Sequence, residues 1–364
     1  MKFLHLLFIL AVAGACVYFY LDDKKTPRAN TSLRPLPPAP VDDPSPDSLA
    51  GKLKTVEDKR PELKKNKMIF SDLRSYYFGS AVEKKGITDL NEAKKLLSQM
   101  EKVFEVYREL NKCTTLGFQW CGDPRQQLTY PQSLRIAMYE LLFSAEYHFL
   151  RGNQKQGLQD IETALHIINI LCKDASGAID LLLSLGLSQN LAAAVKRIKL
   201  PAKEKQQLLK KLPGREQYAA VLPSVLEKEK KMLLFWRAWA PELEHEAIED
   251  AIKAKLPRNT PPEAAAEVRK QIGEEVKQKI GKEYEKGKKL KEIPVEKLEK
   301  IYADFTAFAL KGFKENTLTK ETRYTTGSAE DDKFFALMDQ IGTQVFVCSF
   351  SARLDAFEKK HREL

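Results

Sequence analysis

The densest group of side chains that could perform acid–base or metal chemistry lies at residues 241–250. It contains four glutamates and one histidine: Glu242, Glu244, His245, Glu246 and Glu249. A helix would place His245 and Glu249 on one face, where they could bind a metal or act as a general base. The second histidine of the zinc-binding H-E-x-x-H motif is missing. We therefore interpret the group as an acidic helix start that favours the helix dipole, and we expect no metal site and no catalytic residue here.

The cysteines offer a second kind of chemistry. Cys16 lies in an apolar N-terminal segment, and four more lie in the body of the chain: Cys113, Cys121, Cys172 and Cys348. An even number of cysteines outside the cytoplasm permits two disulfides. We predict one bridge between Cys113 and Cys121 and a second between Cys172 and Cys348, with buried thiols as the alternative. The sequence has no C-x-x-C pair, which argues against a zinc site.

Much of the positive charge is concentrated in one segment. The chain has 60 lysines and arginines against 50 aspartates and glutamates, a net charge of +10, and residues 196–231 alone carry +7. The candidate basic surface at the start of this segment is Lys196, Arg197, Lys199, Lys203, Lys205, Lys210, Lys211 and Arg215. It could attract anionic lipid or an anionic envelope polymer, and a solvated helix face is the alternative. Aromatic residues are sparse there and no nucleic-acid-binding motif occurs, so we do not expect nucleic acid as a partner.

Two tryptophans, Trp236 and Trp239, lie in an apolar run at residues 232–240. Core packing explains them, and the alternative is a partner-facing patch, because tryptophan is enriched at interface hot spots. The sequence contains no G-x-S-x-G, Walker or G-x-G-x-x-G motif. We therefore expect no cofactor, and an enzyme would need catalytic groups dispersed along the chain.

The N-terminus contains the longest apolar segment of the 364-residue chain. Residues 3–21 are nineteen residues without a charged side chain, about the length of a membrane-spanning helix. We interpret them as an uncleaved signal anchor with the body outside the cytoplasm. Three alternatives stay open: a buried core helix, a cleaved signal peptide, and a lipoprotein signal in which Ala13–Cys16 resembles a bacterial lipobox. That resemblance implies lipidation of Cys16.

A proline-rich segment follows the apolar one. Seven prolines lie between Thr26 and Asp47, and proline fixes φ and lacks an N–H group, so this segment cannot form a helix. We assign residues 1–21 to the membrane segment, 22–54 to a linker, and 55–364 to one helical domain. This domain has candidate subdivisions near residues 200–215 and 257–262.

The body has the periodicity of an all-α protein. From Thr88 to Leu110, apolar residues recur every three or four positions, which predicts one long amphipathic helix. Further helices are predicted at Ser71–Lys84, Gln132–Leu150, Gln154–Cys172, Gly177–Ile198, Ala202–Leu212, Arg215–Trp239, Pro241–Leu256, Pro262–Glu292, Pro294–Asn316 and Ala329–His361.

One helical hairpin has small and apolar residues at spaced positions: Ala145, Gly152, Ile161, Ala164 and Leu165. With them, residues 138–171 resemble a single tetratricopeptide repeat, in which Gly157 stands where the repeat usually has alanine. The resemblance implies closely packed helices and, in an array of such repeats, a peptide-binding groove. The sequence shows no second copy, and a stable array needs about three.

These patterns lead to three functional hypotheses. The first is a membrane-tethered, non-catalytic interaction or scaffold protein of the cell envelope, whose partner is another protein or a peptide. The second is an envelope hydrolase with a site assembled from dispersed carboxylates. The third is a basic domain that associates with anionic lipid or polymer.

Overall fold

A computed structural model describes residues 44–59, 87, 89–118, 130–256, 265–275, 289–339 and 343–362. Within these residues the chain is helical and has no β-strand, which confirms the all-α prediction. Several predicted features lie outside the described residues: the apolar segment with Cys16, most of the linker, the helix Ser71–Lys84, and Cys121.

We number the helices of the described residues in chain order. They are α1 (Leu49–Lys59), α2 (Leu90–Gln99), α3 (Glu101–Leu110), α4 (Tyr130–Leu150), α5 (Gln154–Lys173), α6 (Ala178–Arg197), α7 (Ala202–Lys210), α8 (Arg215–Lys255), α9 (Val295–Lys314), α10 (Ala329–Asp339) and α11 (Thr343–Arg362). Residues 265–275 form a further helical stretch.

Helix α1 belongs to the folded body, although the sequence analysis assigned residues 49–54 to the linker. Leu49 and Leu53 are buried in the main core. The Leu49 N–H donates to the carbonyl of Thr115 at 3.0 Å, which ties the start of α1 to the loop after α3. The described body therefore begins before residue 49, and the predicted boundary at residue 54 lies too far along the chain.

The stripe from Thr88 to Leu110 forms two helices and not the single helix that was predicted. Asp89 caps α2 by accepting from the N–H groups of Asn91 and Glu92. Met100 then leaves the helical conformation, with φ −105° and ψ 7°, and its N–H donates three residues back to Leu97. Because the Met100 side chain is buried, the core holds this break in place. Of the predicted helix from Ala329 to His361, the structure describes α10 and α11, and residues 340–342 between them lie outside the described residues.

Helix α8 continues through Pro241, where the sequence predicted a break. Proline removes one helical hydrogen bond and disfavours the preceding turn, which usually ends or bends a helix. Here Ala240 and Leu243, on either side of the proline, are both buried. Their packing stabilises the helical path across Pro241.

The centre of the body is formed by α4, α5 and α6, which pack against one another. Helices α1 and α3 pack on this group, and α8 connects it to α9 and α11. Among the described residues, α6 is the one helix that is long and apolar enough to cross a membrane. However, 61% of its apolar stretch is buried inside the body, which is typical of a core helix.

Helices α4 and α5 form a hairpin with a close approach at Gly157. Gly152 adopts a φ of +79° in the turn, a conformation that favours glycine. A Cβ atom on Gly157 would lie 2.8 Å from the Phe149 ring and 3.1 Å from the carbonyl oxygen of Ala145. The absence of a side chain at Gly157 therefore allows α5 to approach α4 this closely.

We expect Gly157→Val to lower the free energy of unfolding by about 2 kcal/mol, because a branched side chain would overpack this contact. Gly186 of α6 is the matched control, since a Cβ atom there would meet nothing within 4 Å. Gly186→Ala should be neutral or raise stability by up to about 1 kcal/mol through helix propensity. Urea unfolding of the two variants measures both effects, and equal stabilities would contradict the close approach at Gly157.

Candidate interaction surface

The predicted basic surface contains one arginine that is used inside the fold. The Arg197 Nε and Nη2 atoms each lie 3.4 Å from Oε2 of Glu146 on α4. The second oxygen of that carboxylate, Oε1, accepts from the N–H of Ile87 at 3.0 Å. Glu146 is buried, so Arg197 and Glu146 form a shielded ion pair between α6 and α4. Arg197 is therefore a structural residue.

Arg215, at the start of α8, also connects helices inside the fold. Its Nη1 atom donates to the carbonyl oxygen of Phe313 at 2.9 Å and to Oγ of Ser351 at 3.2 Å. Its backbone N–H donates to Oε1 of Glu358 at 2.9 Å, and its guanidinium lies 5.0 Å from the centre of the Phe313 ring. Arg215 thus joins α8 to the end of α9 and to α11, and it does not belong to an exposed surface.

Two lysines of the predicted surface have partners within the protein. The Lys205 Nζ atom donates to the carbonyl oxygen of Lys196 at 2.9 Å, which satisfies a carbonyl in the last turn of α6. The Lys211 Nζ atom lies 4.0 Å from Oε1 of Glu162 on α5, and both side chains are exposed. Lys205 therefore holds α7 against α6, and Lys211 forms a weak surface pair.

The remaining lysines form a face on α7 and its neighbours. Lys199, Lys203 and Lys210 are exposed, and none of them has a hydrogen bond or ion pair with the residues that the structure describes. Burial lowers the pKa of Lys196, and the nearby charge of Lys360 lowers it further. Helix α11 packs against α6, and Lys360 is exposed near the C-terminal end of α11. We call the set Lys196, Lys199, Lys203, Lys210 and Lys360 the basic face.

A network of buried carboxylates lies inside the body at the start of α6. Asp180 is fully buried, and its Oδ2 atom accepts from the Ser176 N–H at 2.7 Å, the Ser176 hydroxyl at 2.9 Å and the Gly177 N–H at 3.2 Å. Its Oδ1 atom accepts from the Tyr130 hydroxyl of α4. Glu229 of α8 accepts from the Ala178 N–H at 3.1 Å. The first turn of α6 is thereby bonded to both α4 and α8.

Burial raises the pKa of Asp180, of Glu229 and of a third acidic side chain, Asp160. Desolvation raises the pKa of Glu229 to about 7, and it also raises the pKa of Asp180. Asp160, on α5, accepts from the Ser144 hydroxyl at 2.7 Å and from the Gln156 amide at 3.3 Å. Burial raises its pKa to about 6 despite these two hydrogen bonds.

The group of glutamates with His245 lies in the middle of α8. The prediction that it forms a helix start is therefore wrong, because α8 runs without a break from Arg215 to Lys255. Glu242 is buried, and the other members are half-buried: Glu244, His245, Glu246 and Glu249. In the part of the chain that the structure describes, no three His, Cys, Asp or Glu side chains are grouped as metal ligands.

Trp236 and Trp239 are half-buried on the same helix. Together with Phe235 they pack against the buried residues Leu243 and Ala247, in a small cluster separate from the main core. The rings of Phe235 and Trp239 are 6.4 Å apart. These contacts place the tryptophans in local packing, and their predicted role as a partner-facing patch stays a prediction.

Three of the four body cysteines are described, and all three are buried thiols: Cys113, Cys172 and Cys348. Cys172 and Cys348 are therefore not bridged to each other, whereas the predicted bridge between Cys113 and Cys121 stays a prediction, because Cys121 lies outside the described residues. Cys172 lies in the core, where burial raises its pKa to about 12, whereas the Cys348 Sγ atom faces the carbonyl oxygen of Thr322 at 3.9 Å. The carbonyl of Cys113 lies 2.7 Å from Nε2 of His166, and burial raises the pKa of the Cys113 thiol. Each of the three thiols is thus buried within the helical body.

No known protein family, curated protein or solved structure matches this chain. The roles of the basic face and of the buried carboxylates must therefore be inferred from their own geometry. Sequence reasoning missed Lys360, which is distant in sequence from the rest of the basic face. It also missed the role of Asp180, although an acidic residue in the first turn after Gly177 is a typical capping signal.

Proposed function

We propose that this protein is a non-catalytic, helical interaction or scaffold protein of the cell envelope. Residues 3–21 would anchor it in a membrane as an uncleaved helix, and the proline-rich segment would hold the body away from the bilayer, outside the cytoplasm. The apolar length of residues 3–21 and the prolines that follow support this arrangement. The described body then begins close to residue 48, directly after the proline-rich segment.

The hydrogen bonds of the buried carboxylates favour an interaction protein over a hydrolase. Buried carboxylates with a raised pKa are the expected acids and bases of a hydrolase. Here burial raises the pKa of Asp160 to about 6 and that of Glu229 to about 7, and both side chains accept hydrogen bonds within the helical packing. Asp180 is fully buried and accepts from Ser176, Gly177 and Tyr130. These groups connect helices, which is the role expected in a scaffold.

We also propose that the α4–α5 hairpin acts as a tetratricopeptide-like unit whose partner is another protein or a peptide. Ala145 and Ala164 are fully buried, and Gly157 lies against Phe149 and the Ala145 carbonyl. This close packing supports the resemblance. The exposed Leu150, at the end of α4, adds an apolar contact point at one end of the hairpin.

A reporter fused after Leu364 tests the placement of the body. We expect a reporter that is active only outside the cytoplasm to show full activity in intact cells, and a reporter that fluoresces only in the cytoplasm to stay dark. A matched fusion to a cytoplasmic protein calibrates both signals. Activity of the cytoplasmic reporter alone would contradict the proposal.

A further inference from the structure

We infer that the basic face binds the anionic lipid headgroups of the membrane that anchors the chain. This inference rests on the proposed function, and it adds the surface through which the body would contact the bilayer. The face is smaller than the sequence suggested, because Arg197, Lys205, Lys211 and Arg215 have partners within the protein. The face also includes Lys360, which lies near the C-terminal end of α11 and far from the other lysines in sequence.

Two lysines of α7 are spaced so that they lie on one side of the helix. Lys203 and Lys210 are seven residues apart, so they lie on one side of the helix about 10 Å apart along its axis. The side chains between them on that side, Gln206 and Gln207, are uncharged and exposed. Glu204 is the acidic residue of α7, and it is exposed next to Lys203. The outer side of α7 thus presents two lysines and two glutamines beside a single glutamate.

The ends of α6 and α11 extend the positive charge beyond α7. Lys199 lies in the turn between α6 and α7, helix α11 packs against α6, and Lys360 is exposed near the C-terminal end of α11. A layer of phosphate groups could contact the lysines of all three elements together, whereas a single small anion would contact only part of the face.

The chain itself indicates why a membrane is the favoured source of these phosphates. An extended linker over residues 22–43 would span about 70 Å. A globular body of this size has a diameter of about 50 Å, so any of its faces could reach the bilayer. Anchoring in the membrane also raises the effective concentration of headgroups around the body. A face whose exposed lysines lack an ion-pair partner in the part of the chain that the structure describes should then turn toward the lipid.

The test uses the full chain inserted into vesicles of phosphatidylcholine alone, or of phosphatidylcholine with phosphatidylglycerol. Acetylation of each lysine by an amine-reactive reagent is followed by mass spectrometry. We expect Lys199, Lys203 and Lys210 to react several-fold more slowly on the anionic vesicles, and high salt should restore their rates because it screens the interaction. Exposed lysines of α2 and α3 serve as internal controls and should react equally on both: Lys94, Lys95 and Lys102.

A triple variant with Lys199→Gln, Lys203→Gln and Lys210→Gln provides a second test of lipid binding. Each lysine near an anionic surface strengthens binding about fivefold, so this variant should weaken the association of the body about a hundredfold. Lys196 and Lys360 should then lose their protection. The matched variant Lys94→Gln, Lys95→Gln and Lys102→Gln should behave as the natural chain.

Equal acetylation of the basic face on both kinds of vesicle would overturn the inference. Protection by soluble polyphosphate without protection by anionic vesicles would overturn it too, and would point to an envelope polymer. If the full chain fails to insert into neutral vesicles, the proposed anchor fails separately. In that case flotation with anionic vesicles tests the basic face directly, and loss of flotation in the Gln variant supports it.

Discussion

Replacing Asp180 with alanine is expected to lower the free energy of unfolding by about 4 kcal/mol. The substitution leaves the N–H groups of Ser176 and Gly177 and the hydroxyl of Tyr130 without their acceptor in the core. An unsatisfied buried donor costs about 1 to 3 kcal/mol, so three of them reach this magnitude even with partial relaxation. Denaturant unfolding followed by circular dichroism measures the loss.

Asp89 provides the control for Asp180. It also caps a helix, since it accepts from the N–H groups of Asn91 at 2.8 Å and Glu92 at 3.1 Å, but it is exposed. Water can replace its hydrogen bonds, so Asp89→Ala should cost about 1 kcal/mol. Similar losses in both variants would mean that Asp180 is an ordinary cap and does not connect α4 to α6.

Stability is expected to fall as the pH rises from 5 to 8, by about 4 kcal/mol from Asp160 and Glu229 together. Burial raises the pKa of Asp160 to about 6 and that of Glu229 to about 7, above the ordinary values of 3.8 and 4.5. Between the unfolded and folded pKa values the folded state binds more protons, so raising the pH favours unfolding. The contribution is complete below about pH 4 and is lost by about pH 7, at 1.36 kcal/mol for each pKa unit.

The measurement compares unfolding at pH 5 and pH 8 for the natural chain and for the variant Asp160→Asn and Glu229→Gln. The variant should show a much flatter dependence, because neither amide titrates. His148 acts in the opposite sense, since burial and the charge of Arg108 lower its pKa. Its contribution is the same in both chains and cancels in the comparison. Parallel pH profiles would show that Asp160 and Glu229 have ordinary pKa values.

Helix identity was predictable from sequence because it depends on local spacing. The stripes that define α5 and α9 place apolar residues on one side at intervals that match the buried positions, whereas α4 and α6 are apolar and buried on most sides. The breaks were harder to predict. Met100 ends a helix without proline or glycine, and Pro241 fails to end one, because buried neighbours determine the backbone at both points.

The candidate surface was only partly predictable, because sequence shows where a charge is and not where its partner lies. Arg197 pairs with Glu146, which is 51 residues earlier, and Arg215 is 143 residues from Glu358. Such contacts depend on the tertiary arrangement of whole helices. The same arrangement packs α11, which carries Lys360, against α6, which carries Lys196, and so creates a basic face that no single segment contains.

We propose that residues 3–21 hold a folded helical body at a membrane. The variant Ile9→Arg with Val12→Arg tests it in the full chain, since an arginine at the centre of a spanning helix costs about 3 kcal/mol. The control Thr31→Arg with Ser32→Arg adds the same charge to the linker and should leave anchoring unchanged.

Extraction of cell membranes with alkaline carbonate is the direct measurement, because it removes peripheral proteins and leaves spanning ones. We predict that the natural chain and the linker control stay in the membrane pellet, while the variant with arginines at positions 9 and 12 is found in the soluble fraction. Release of the natural chain by carbonate would contradict the account.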